Sequence, residues 1–136
     1  MSPDRIHALL LEVRQALLVL HKALLDRQRA EYEDRNGRVA PVALLELTLN
    51  NPEFAWLRPF SRLVVDIDAA LAPKHAPIEG PIASRLLDSA LRLVRPGEAV
   101  ESRYVEMMSN DPDLILLHAS VVQAIRDARA EGLDRA

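Results

Sequence analysis

The chain has 136 residues, of which 49% are hydrophobic and 27% charged, a balance typical of one soluble globular domain. The formal net charge of -3 gives no general attraction to nucleic acid or to an anionic membrane, so we expect neither as a partner. The sequence contains no cysteine, which excludes disulfides and thiol catalysis. It also lacks a signal-peptide pattern and an apolar run of about 20 residues, so we expect a cytoplasmic protein.

The first segment predicts an unusually long helix over residues 3–35. Ser2 is a good N-cap, Pro3 suits the first helical position, and Asn36-Gly37 is a typical helix stop. At 1.5 Å per residue this helix is about 50 Å long, which exceeds the width of a compact domain of this size. Its last turns are therefore expected to project from the core or to cover a partner subunit.

Four polar side chains recur every seven residues within this helix: His7, Arg14, His21 and Gln28. A seven-residue spacing places them in one column, between neighbouring columns of leucine. So wide an apolar surface predicts either a central helix surrounded by others or a helix shared across a dimer.

The middle of the chain predicts a short helix over 41–50 and a second helix over 52–72. Pro59 should kink the second helix or split it after Arg58, because proline removes a backbone donor and clashes with the preceding turn. Phe54, Leu57 and Phe60 fit one helix face, and Trp56 lies to the side of that face. Two roles remain open for it: filling the gap beside the proline, which we favour, or forming an exposed anchor at an interface.

The remaining segments are also helical in pattern. Residues 72–81 form a proline-rich linker, and the apolar spacing then predicts helices over 82–94, 98–109 and 112–130. No segment alternates with period two for long enough to form a strand. The sequence therefore predicts an all-α, single-domain bundle of five or six helices with a long N-terminal helix.

An internal repeat is one interpretation of the two Asx-Pro corners. LELTLNNPEFAWL (45–57) aligns without a gap on VEMMSNDPDLILL (105–117), at an offset of 60 residues. Duplication would give two related helical halves, 1–72 and 78–136, joined at the linker. The simpler explanation is that Asx-Pro-acid is a common helix start.

Most catalytic signatures are missing from the sequence. The four glycines are too far apart for a dinucleotide or phosphate loop, and neither HExxH nor GxSxG occurs. The single Asp4-x-x-His7 does not make a di-iron motif, which needs two Glu-x-x-His pairs. We therefore predict no catalytic residue, no metal site and no cofactor.

A polar cavity is the remaining candidate site. His118 lies in the apolar stripe of the last helix, so His21 and His118 would meet if the first and last helices are neighbours. With Arg14 nearby and His7 in the same column, such a cavity could hold an anion or a carboxylate. The alternative, which we favour, is a structural polar layer in which Arg14 pairs with an acidic residue, one of Glu46, Asp66, Asp68 and Glu106.

Two stretches, HKALLDRQRAEYEDRNG (21–37) and FAWLRPFSRLVVDIDAAL (54–71), resemble a set of small bacterial proteins that share a Phe-Ala-Trp-Leu-Arg-Pro segment. The resemblance covers about residues 20–72 and implies a bacterial cytoplasmic origin. No activity is known for that set, so the resemblance assigns no functional residue.

These observations favour a non-enzymatic protein that acts through helix–helix contacts. Its expected partner is a second copy, in a homodimer or larger homo-oligomer, or another helical protein. The alternative function is a helical bundle that binds a small anion or cofactor through the Arg14, His21, His118 and His7 cluster.

Overall fold

A computed structural model describes residues 1–72, 77–95 and 103–133. Within these ranges the chain forms six α-helices and one 3₁₀ helix, without a β-strand, which confirms the predicted all-α fold and its long N-terminal helix. The helices are α1 (Pro3–Asn36), α2 (Pro41–Asn50), the 3₁₀ helix (Pro52–Leu57), α3 (Arg58–Leu71), α4 (Gly80–Val94), α5 (Arg103–Ser109) and α6 (Pro112–Ala130).

Side-chain caps begin three of these helices, as the sequence predicts. Oxygen atoms of Ser2, Asn51 and Asp111 accept hydrogen bonds from backbone amides two or three residues later, at 3.2, 2.8 and 3.2 Å respectively. Each cap satisfies an amide that the helix itself cannot bond. At the other end of α1, Gly37 has a φ of 84°, in the left-handed region that favours glycine.

The segment over residues 52–71 is divided into two helices beside Pro59, and the first of them is not the predicted α-helix. Residues 52–57 form a 3₁₀ helix rather than a turn of α-helix. The amide of Arg58 bonds to the carbonyl of Ala55, three residues back. Because Pro59 lacks an amide proton and crowds the same carbonyl, the tighter 3₁₀ spacing is the accessible one. Pro59 then occupies the first turn of α3, where it is tolerated.

Helix α1 is the centre of the fold, with α6, α3, α4 and the 3₁₀ helix packed around it. It runs antiparallel to α6. Arg5 bonds to Glu131 at one end of the pair, and Arg27 bonds to Asp111 at 2.8 Å near the other end. The prediction of a central helix surrounded by others is therefore confirmed for α1.

The core is mainly aliphatic, with three buried aromatic residues, Phe54, Phe60 and Tyr104. Helix α1 supplies its largest share, through Ile6, Leu9, Leu10, Val13, Leu17, Leu20 and Leu24. Leucine and valine of this kind are expected to contribute about 1.5–3 kcal/mol each on full burial. The same long helix therefore supplies much of the hydrophobic stabilisation of the domain.

Some sequence predictions fall outside the described residues. They concern residues 73–76 of the predicted linker, the Pro96-Gly97 helix stop, and residues 98–102 at the beginning of the predicted fifth helix. Where the structure is described, α4 begins at Gly80, inside the predicted linker. The two halves remain a prediction, and their corners differ, since one starts a 3₁₀ helix and the other starts α6.

Candidate functional site

Gln28 is the most deeply buried member of the polar column. Its side chain is 1% exposed, and both ends of its amide are bonded. The nitrogen donates to a carboxylate oxygen of Glu53 at 2.8 Å, and the oxygen accepts the indole N–H of Trp56 at 2.9 Å. The amide thus connects α1 to the 3₁₀ helix, which is a structural role. Trp56 is half-buried, and its hydrogen bond to Gln28 holds the indole on α1.

Arg14 forms an ion pair, as the structural interpretation of the column requires. Its Nε donates to Asp68 Oδ1 at 2.7 Å, and its Nη2 donates to Oδ2 at 3.3 Å. This pairing with the carboxylate raises the pKa of Arg14. Since about half of the Asp68 side chain is exposed to solvent, solvent screens the pair and its contribution to stability is expected to be small.

The three histidines of the predicted cluster have different environments. His7 is exposed, whereas His21 and His118 are half-buried. Burial lowers the pKa of both half-buried imidazoles. His118 Nδ1 lies 2.5 Å from the hydroxyl of Tyr104, and His21 has no hydrogen bond to a described residue.

The structure does not show an assembled site made from this cluster. Within residues 1–72, 77–95 and 103–133, no hydrogen bond, ion pair or ring contact joins any two of Arg14, His21, His118 and His7. The described part of the chain also contains no group of three or more His, Asp or Glu side chains that could hold a metal ion. Ligand binding by this cluster stays a prediction.

A different feature stands out on α2. This ten-residue helix is predominantly apolar, yet it has no buried residue. Val42, Leu45 and Leu49 are 81%, 60% and 62% exposed. A helix rich in leucine and valine ordinarily buries such side chains against a neighbour.

Helix α2 also sits loosely on the rest of the chain. Leu44 and Leu47 turn towards the 3₁₀ helix but are only half-buried. A cavity of about 530 Å³ separates part of α2 from the end of α1, between Tyr32 and Glu46 among other residues. The helix thus has one partly packed face and one open apolar face.

The open face of α2 continues onto α3. Leu49 lines one wall of a groove of about 870 Å³, and Val65, which is 63% exposed, lines the other. Arg58, Arg62 and Asp66 border the same groove. We call the exposed side chains of Val42, Leu45, Leu49 and Val65 the α2 surface. Among the described residues outside it, only Leu116 is a large apolar side chain exposed to a similar degree, at 67%.

The α2 surface was not predicted from the sequence, although residues 41–49 form a mostly apolar run. A short apolar helix is normally interpreted as part of the core unless its packing is known. Exposed apolar surfaces of this kind mark interaction sites in soluble proteins.

Comparisons with protein-family models, curated proteins and solved structures find no match to this chain. Among the described helices, none combines the length and the apolar content needed to cross a bilayer.

Proposed function

We propose that this chain is a non-enzymatic, self-associating helical protein whose α2 surface forms the interface of a homodimer. The observation that supports this proposal is the exposure of an apolar helix with no buried residue. We place this function in the bacterial cytoplasm, as the resemblance of residues 20–72 implies.

Association would remove the cost of leaving the α2 surface in water. Full burial of a valine or leucine side chain contributes about 1.5–3 kcal/mol, and all four of these side chains are at least 60% exposed. An isolated helix of ten residues is also marginally stable in water. Contact with a second copy would therefore stabilise α2 as well as cover it.

The charges around the groove favour a second copy over an unrelated partner. A two-fold interface must be complementary to itself, because the same patch faces its own copy. The groove carries both signs, with Arg62 and Asp66 one turn apart on α3. Neither side chain forms an ion pair with a described residue. A two-fold axis beside α3 would place Arg62 of one protomer opposite Asp66 of its partner.

Sedimentation velocity over a range of protein concentrations tests the proposal. We expect a dimer whose population rises with concentration, and we expect Leu45→Glu to give a monomer, because it buries an unpaired carboxylate in the interface. The matched control is Leu116→Glu, which makes the same change at a similarly exposed leucine on α6.

Two results would contradict the proposal. One is a wild-type monomer at all concentrations up to the highest accessible. The other is loss of the dimer in Leu116→Glu with its retention in Leu45→Glu, which would move the interface to the α6 side. Far-UV circular dichroism of both variants checks that the helices remain folded.

A further inference from the structure

A second cavity, remote in the chain from α2, lies between the end of α4 and the middle of α6. Its volume is about 280 Å³. The apolar part of its lining consists of Leu91, Val94, Val122 and Ile125, and the polar part consists of Arg95, His118, Arg126 and Arg129. We call it the α4–α6 cleft.

Positive charge is in excess in this cleft. None of the eight described residues that line it is acidic. Arg129 is compensated by Asp88, which accepts a hydrogen bond from Nη2 at 3.1 Å. The side chains of Arg95 and Arg126 form no hydrogen bond or ion pair with the described part of the chain. Two guanidinium charges therefore border the cleft without a described counter-charge.

One guanidinium donor in the cleft is also unsatisfied. The Nε atom of Arg129 is buried from solvent and has no hydrogen-bond acceptor. A buried donor without a partner destabilises the fold, and the effect is larger for a charged group. Because Arg129 lines the cleft, an oxygen atom bound there is one way to supply the missing acceptor.

The Tyr104 hydroxyl occupies one of the two ring nitrogens of His118, which lines the cleft. Tyr104 is buried, which raises the pKa of its phenol, so the hydroxyl keeps its proton. In the tautomer in which this hydroxyl donates to His118 Nδ1, 2.5 Å away, the neutral imidazole carries its own proton on Nε2. That tautomer gives His118 an N–H donor at the same cleft that the arginines border.

We propose that the α4–α6 cleft binds a small organic phosphate, a monoester with a short aliphatic group. Arg95 and Arg126 have no counter-charge within residues 1–72, 77–95 and 103–133, and their two guanidinium groups match the two negative charges of such a monoester. Arginine binds phosphate oxygens in a bidentate manner. The four aliphatic side chains provide the contact for the ester group. A volume of about 280 Å³ lies just below the usual range of ligand pockets, which limits the ligand to a small one.

The cleft was not predicted from the sequence, although His118 was. Arg126 and Arg129 follow His118 by two and three turns on α6, so their shared face was recognisable. Arg95 comes from α4, and only the packing of α4 on α6 brings it to the same cavity.

Isothermal titration calorimetry with n-butyl phosphate tests the proposal, using the full chain in a buffer free of phosphate. We expect one ligand per chain, with at least about tenfold weaker binding after Arg126→Gln. Arg126 is exposed and unpaired in the described chain, so its loss should leave the fold intact. The matched control is Arg85→Gln, at an exposed arginine on α4 outside the cleft, for which we expect an unchanged affinity.

Two further ligands make the chemical class falsifiable. Inorganic phosphate lacks the aliphatic group and butyrate lacks the second charge, so both should bind more weakly than n-butyl phosphate. Equal binding of inorganic phosphate would overturn the organic part of the proposal, and equal or tighter binding of butyrate would overturn the phosphate part. No binding of n-butyl phosphate at millimolar concentration, or equal losses in Arg126→Gln and Arg85→Gln, would overturn the site itself.

Discussion

The substitution Gln28→Leu tests whether the buried amide stabilises the fold. Leucine keeps a similar volume and a similar helix propensity, but it removes the hydrogen bonds of the amide to Glu53 and Trp56 and a longer one, of 3.5 Å, from Arg103 Nε. The bond to the Trp56 indole is worth about 1 kcal/mol, and the bond to the Glu53 carboxylate is worth about 1.5–3 kcal/mol. The greater apolar character of leucine offsets about 1 kcal/mol of this loss. We therefore expect a net destabilisation of about 2 kcal/mol.

Urea unfolding followed by far-UV circular dichroism measures this change. The chain contains one tryptophan, so fluorescence of Trp56 reports the same transition from inside the affected contact. For a chain of this size, about 2 kcal/mol corresponds to a fall in melting temperature of roughly 6–10 °C. All variants must be compared at one protein concentration, since association shifts apparent stability.

The control is Gln123→Leu, at an exposed glutamine of α6, which we expect to change stability by at most about 0.5 kcal/mol. A Gln28→Leu variant as stable as the wild type would refute the reasoning. A double-mutant cycle with Trp56→Phe isolates the indole bond, for which we expect a coupling energy of about 1 kcal/mol. Strict additivity in that cycle would show that the two side chains are not coupled.

Two other predictions concern the half-buried histidines and the N-cap of α6. Burial lowers the pKa of His21 and His118 from the usual value of 6.5. The stability that the two neutral imidazoles contribute is therefore fully present above about pH 6.5 and is lost as the pH falls from 6.5 towards the lower folded-state pKa values. Melting temperatures between pH 7.5 and 5.5 should show this fall, and a slope unchanged in the double variant His21→Gln/His118→Gln would contradict it. Asp111→Ala removes the N-cap of α6 and the nearer of the two acidic partners of Arg27, so it should lower the midpoint of urea unfolding. Asp113→Ala, at an 83% exposed side chain of the same turn, should cost less, and equal losses would argue against the capping role.

The helical architecture was predictable because its signals are local. Ser2, Asn51 and Asp111 begin helices through hydrogen bonds to amides only two or three residues away, and Gly37 ends α1 through its own backbone conformation. The 3₁₀ geometry of residues 52–57 was harder to predict, because it depends on how the chain accommodates Pro59 rather than on any propensity of those residues.

The partners of the polar column depend on distant contacts. Four acidic residues were open as partners of Arg14, and the packing of α3 on α1 brings Asp68 to it. Gln28 similarly meets Glu53 and Trp56 because the 3₁₀ helix packs on α1. The α2 surface could not be foreseen either, since the sequence of a buried apolar helix and that of an exposed one look alike.

The central position of α1 has a consequence for how the protein is made. Synthesis produces α1 before its most extensive neighbour, α6. The leucines that α6 covers must therefore stay uncovered until residues 112–130 have left the ribosome. Contacts between segments so far apart along the chain slow folding, and transiently exposed apolar surface promotes aggregation. Ribosome-bound chains that stop before residue 112 should consequently be clients of chaperones, and chains from which α6 has fully emerged should lose that dependence.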